Sequence, residues 1–132
     1  MSEVLEIEFK RFGTPLAKGE IRRDLAPMNF EALRKLEKTV TSIIRREDLI
    51  LINVPLKMVN EGSVYTDFKP GDILLAPAAS SLAIVTTHLS SEPRFRFYKA
   101  GEITSGLEAL SQLKNNEILT VTIKPQKGDT DV

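Results

Sequence analysis

Leu5, Ile7 and Phe9 alternate with Glu6, Glu8 and Lys10, the period-two pattern of a strand with one buried face. Gly13-Thr14-Pro15 is a turn signal, so residues 16–25 read as the returning strand of a hairpin. Pro27 suits the first position of a helix, where its missing N–H costs nothing. Phe30, Leu33, Leu36, Val40, Ile43 and Ile44 follow at spacings of three and four, which draws one apolar stripe on a helix of about four to five turns. Glu31, Arg34, Lys35, Glu37 and Lys38 fall on its solvated face. After Asp48 the pattern shortens. Leu49-Ile50-Leu51-Ile52 is a continuous apolar run ended by Asn53 and Pro55, consistent with a strand buried on both faces. Residues 56–59 and 63–66 are short strand candidates around the Asn60-Glu61-Gly62 turn. Lys69-Pro70-Gly71-Asp72 turns into the strand of Ile73-Leu74-Leu75, and residues 76–81 form a small-residue loop before another strand at 82–87. Phe95, Phe97 and Ile103 are placed on strands, and Ile118, Thr120, Val121 and Ile123 on the last one.

Between them, residues 101–113 combine a strand end, a turn and a short amphipathic helix. Ser105 and Glu108 have capping-box spacing, and Leu107, Leu110 and Leu113 supply the buried stripe. The pattern therefore predicts about eight strands and two helices, the long one early and the short one late. Many short strands with turn signals favour a sandwich or a closed barrel. The expected organisation is one domain over residues 1–124 and a polar tail over 125–132.

Composition narrows the chemistry. The 132 residues contain no cysteine, which excludes disulfides, thiolate catalysis and cysteine-based metal sites. Lys+Arg and Asp+Glu balance at 18 each, which argues against nucleic acid or an anionic membrane as the main partner. Arg22-Arg23 and Arg45-Arg46 are the basic doublets, and they read as solvated rims. No apolar run reaches the ~20 residues of a membrane span, and the N-terminus is not a signal peptide. The expectation is a cytoplasmic protein. With one histidine, His88, no metal site and no cofactor are expected. No phosphate-cradling glycine loop is present.

Three segments resemble cyclophilins. Gly13-Thr14-Pro15-Leu16 echoes their first turn. Ala26-Pro27, Glu31, Arg34 and Leu36 match the start of their first helix, with Leu33 in place of a Phe. Gly101–Leu113 matches the segment that closes their barrel. The middle is similar to small prokaryotic cyclophilin-like proteins of unassigned function, through Gly71-Asp72-Ile73-Leu74-Leu75-Ala76-Pro77 and Leu82-Ala83-Ile84-Val85. Ala78-Ala79 replace their Pro-Gly, and Thr86-Thr87 replace their aromatic pair. The resemblance implies a mainly β fold, a closed cyclophilin-like barrel of about eight strands with one long and one short helix.

It also implies that prolyl isomerisation is the activity to weigh. In cyclophilins an Arg donor stabilises the twisted amide, and a Gln-Gly-Gly segment follows. Residues 53–62 hold neither the Arg nor the Gln. Lys57 lacks the guanidinium fork and reads as a solvated lysine. Ser80 or Ser81 with His88 and Asp72 make a triad only on paper, since no nucleophile elbow surrounds them. Asp67 and Asp72 read as turn residues. What remains is a non-catalytic or weakly catalytic binder, with a cleft of Tyr65, Phe68, Pro77, Thr86, His88, Phe95 and Phe97 for a small ligand or a proline-containing peptide. The alternatives are a divergent isomerase or chaperone-like protein, and a structural subunit that forms a homo-oligomer through a strand edge or helix.

Overall fold

The computed structural model describes residues 3–46, 49–61, 64–87 and 96–125. Eight antiparallel strands close on themselves in the order β1-β2-β7-β5-β6-β4-β3-β8. They are β1 (Val4–Arg11), β2 (Thr14–Arg22), β3 (Lys38–Arg45), β4 (Leu49–Asn53), β5 (Asp72–Ala76), β6 (Ser81–Val85), β7 (Tyr98–Ser105) and β8 (Ile118–Pro125), with helices α1 (Phe30–Leu36) and α2 (Leu107–Ser111). The expected closed barrel with two helices is present. Closure leaves no outermost strand.

The opening hairpin forms as the alternation requires. Leu5, Ile7 and Phe9 are fully buried and β1 pairs with β2 from Val4↔Arg22 to Arg11↔Thr14. An eight-stranded barrel is just wide enough to be filled by side chains. Here Ile7, Phe9, Ile21, Ile43, Ile50, Ile52, Ile73 and Val121 belong to one apolar cluster inside it. Phe30 and Leu33 of α1 join that cluster at one barrel end, and Leu110 of α2 joins it too.

Both helices and the segment after β4 depart from the sequence reading. The early helix ends at Leu36 rather than running on to Ile44. Glu37 takes φ 58° and ψ −71°, a strained γ-turn conformation, and the chain returns as β3. Thr39, Val40, Thr41, Ile43 and Ile44 are β-branched and prefer a pleated surface. Ile43 is buried while Val40 and Ile44 are exposed, which no single helical stripe would produce. The helix also starts after Pro27, with Asn29 as its N-cap residue.

The late helix forms without the expected capping box. Ser105 is the last residue of β7, opposite Lys18, and Gly106 is the N-cap residue with φ 86° and no side-chain cap. The leucine stripe survives, with Leu110 and Leu113 buried and Leu107 packed against the core. No strand forms at 56–59 or, among the described residues, at 64–66. The backbone groups there find other partners: Val59 N–H donates to Asn29 Oδ1 at 2.9 Å and Tyr65 N–H to the Phe97 carbonyl at 2.7 Å.

Closure depends on strands that approach without side chains between them. A Cβ on Gly101 would lie 1.7 Å from the Glu20 carbonyl oxygen, where β7 meets β2. Backbone cannot yield there as a flexible side chain can. Gly101→Ala is expected to lower unfolding stability by about 3 kcal/mol or more, read as the denaturant midpoint; an unchanged midpoint would contradict this packing.

Candidate functional site

The strands β4, β5 and β6 are buried on both faces. Their inward residues face the barrel core, while Leu49, Leu51, Leu74, Ala76, Ala83 and Val85 form a second apolar cluster on the outside. Residues 54–71, which join β4 to β5, cover it, and their described part holds no helix or strand. Phe68 packs edge-on against Phe97 with ring centroids 5.6 Å apart, and Tyr65 packs edge-on against Phe68 at 5.7 Å.

The N-terminal part of this covering segment is held by a buried polar knot. The carboxylate of Glu61, 8% exposed, accepts from Met28 N–H at 3.1 Å and Asn29 N–H at 3.0 Å, and also from Asn29 Nδ2. Asn29 Nδ2 donates in addition to the Val59 carbonyl at 2.8 Å. A carboxylate from a distant segment thus satisfies the backbone donors that precede α1.

The C-terminal part is held by Asp72. This carboxylate is 2% exposed and accepts from Tyr65 Oη at 3.0 Å and Lys69 N–H at 2.9 Å. Its other oxygen lies 3.3 Å from Lys99 Nζ. The Lys99 ammonium also sits 5.5 Å from the Tyr65 ring centroid, within cation–π range. Burial pushes the Tyr65 phenol up to about 12, and the hydrogen bond and charge of Asp72 add to the shift. At neutral pH the phenol is therefore a fixed donor, and the ammonium is matched by a carboxylate. The trio orients a surface.

The predicted cleft residues divide. Tyr65, Phe68 and Phe97 are brought together; Phe68 and Phe97 are buried and Tyr65 is half-buried. Pro77 begins a single 3-10 turn, Pro77–Ala79, which Asn53 Nδ2 holds through the Ala79 carbonyl at 3.2 Å. Ala79 packs against the same outer cluster, so Pro77 rims it. Thr86 follows the opposite end of β6, about 17 Å of strand away, in line with the inward-facing Leu82 and Ile84 rather than the outer cluster. His88 and Phe95 lie outside the described residues. Lys57 is exposed. Asp67 is a surface residue paired with Lys69 at 3.6 Å.

The sequence reading missed the roles of Glu61, Asp72 and Lys99. Asp72 was visible as a turn residue, and it does receive the Lys69 N–H. Its partners Tyr65 and Lys99 come from either side in sequence, so only the fold shows its burial. A shallow depression of about 430 Å³ lies elsewhere, between the end of α1 and the end of β8, with Arg34, Glu37, Lys38 and Lys124 among its lining residues. It contains none of the predicted cleft residues. No group of three or more potential metal-ligating side chains occurs among the described residues.

No family model and no curated protein matches the sequence. The fold does have a relative. The solution structure of the hypothetical protein AF2241 from Archaeoglobus fulgidus matches with a TM-score of 0.72 and 15% sequence identity, covering 92% of this chain and 95% of the other. The closed barrel is thus shared over nearly the whole of both chains. At that identity the likeness concerns fold alone. No helix among the described residues is long and apolar enough to cross a membrane.

The raised Tyr65 pKa has a testable sign. The folded state favours the neutral phenol, so its contribution is fully present below the unfolded value near 10 and is lost as pH rises through about 12. Stability is expected to fall over that window in the wild type and more shallowly in Tyr65→Phe. Chemical denaturation at pH 9 to 12 checks this; identical slopes would show that Tyr65 is not held as described.

Proposed function

We propose that this chain is a cyclophilin-like, cytoplasmic barrel protein that binds a small ligand or a proline-containing peptide segment without isomerising it. The reading rests on the covering segment. Connections longer than about 12–15 residues without regular structure are usually functional when they are ordered. This one is anchored near its middle through Glu61 and where it enters β5 through Asp72, and carries its aromatic side chains onto the barrel wall. The binding edge is formed by the exposed side of Tyr65, by Lys99 and by the Pro77 turn, backed by Phe68 and Phe97. His88 and Phe95 are assigned to the same cleft on sequence grounds.

The chemistry of the segment argues against catalysis of isomerisation. Residues 54–71 contain no arginine, and their lysines, Lys57 and Lys69, are exposed. No guanidinium on this segment can therefore donate to a prolyl nitrogen from a desolvated position, where such a bond would stabilise the twisted amide. Lys99 is engaged with Asp72.

A protease-coupled assay on an Ala-Pro peptide is expected to give the uncatalysed rate. Titration of 15N-labelled protein with the same peptide is expected to shift the amides of Tyr65, Ala79 and Lys99. A rate matching an ordinary cyclophilin would overturn the non-catalytic reading, and no shift at millimolar peptide would remove the peptide from it.

A further inference from the structure

The barrel end near α2 holds a feature that the outer cleft does not use. Among the described residues, two buried side-chain polar atoms have no hydrogen-bond partner: Arg45 Nη1 and Thr86 Oγ1. Buried polar groups are almost always satisfied, and a buried guanidinium nitrogen is the costlier exception. Both atoms belong to the same region. Arg45 ends β3 opposite Ile50 of β4, and Ile50 in turn pairs with Ile84 of β6. Thr86 stands two residues beyond Ile84. Arg45 continues the inward row of Ile43, and Thr86 that of Ile84. Two strand spacings and a two-residue offset put their backbones about 12 Å apart, close enough for an extended arginine and a threonine hydroxyl to reach one small anion between them.

Among the described residues no acidic side chain is paired with the arginine. Glu117, placed beside β3 by the turn into β8, is bound to Arg11 at 3.0 Å and to Lys114 N–H at 2.6 Å. Asn115 Oδ1 receives the Arg45 backbone N–H at 2.9 Å and leaves its guanidinium alone. Asp72, at the same barrel end, is engaged with Lys99 on the outer wall. Arg45 as a residue is only partly buried, although the unpartnered nitrogen itself is covered.

We propose that this barrel end is a binding site for a small oxyanion, with the Arg45 guanidinium and the Thr86 hydroxyl as its two donors. A carboxylate or phosphate oxygen accepts from both, and Arg binds such groups better than Lys because its donors are planar and paired. The buried hydroxyl of Thr86, a residue only 6% exposed, then gains a hydrogen-bond partner that the described residues do not provide. The site stands independently of the outer cleft.

The test uses inorganic phosphate and acetate as probes against sodium chloride at matched ionic strength, with the full chain. Phosphate or acetate is expected to raise the melting midpoint beyond the chloride control, and the more effective of the two identifies the anion class. Arg45→Met is expected to weaken apparent binding at least tenfold, and Thr86→Val severalfold. In anion-free buffer neither variant is expected to melt below the wild type, because each removes a polar atom that has no partner. No anion response above chloride, an undiminished response in Arg45→Met, or marked destabilisation of that variant without anion would each overturn the site. Should a variant fail to fold, wild-type amide shifts decide: saturable phosphate shifts at Arg45, Ile50 and Thr86 support the site, and their absence removes it.

Discussion

The buried carboxylate of Asp72 ties the covering segment to two strands of the barrel at once. It stands at the first position of β5, where the chain leaves an irregular segment and enters the barrel wall. One oxygen takes the Tyr65 phenol and the Lys69 amide, and the other faces the Lys99 ammonium of β7. An unpaired charge in that position would be prohibitively costly. The segment must therefore fold back over the strands, bringing Phe68 onto Phe97 and closing the second apolar cluster.

The barrel supplies the fixed frame for this arrangement. Its interior is filled, and α1 and α2 contribute side chains to the same core, so binding chemistry is pushed to the outer wall and the barrel rims. The close backbone contact of Gly101 with Glu20 sets the approach of β7 to β2. That contact fixes where Lys99 emerges relative to Asp72. Fold and candidate site are thus linked through β7.

Local patterning made much of the fold legible. The Leu5-Ile7-Phe9 alternation and the two-sided burial of Leu49–Ile52 translate directly into β1 and β4. The helix length was misread because Val40, Ile43 and Ile44 fall at helical spacing by coincidence, while their β-branching and that of Thr39 and Thr41 point to a strand. The Ser105 capping box failed because β7 claims Ser105 for its own ladder. Tertiary pairing overrode local preference in both places. The candidate site was less legible. Tyr65, Phe68 and Phe97 were found as aromatics on the β-rich middle, but their anchors were not. Glu61 meets Asn29 across 32 residues, and Asp72 meets Lys99 across 27. Arg45 reads in sequence as half of a basic doublet, and only the register of β3 turns it inward.

The central claim is that the covering segment is a separately anchored unit docked on a stable barrel by Asp72. Amide hydrogen exchange in the wild type and Asp72→Asn tests it most directly. The account predicts that Tyr65 and Lys69 lose protection in the variant, while core amides of β1, β2 and β8 keep theirs. Equal loss of protection throughout the barrel, or unchanged protection at Tyr65 and Lys69, would contradict it.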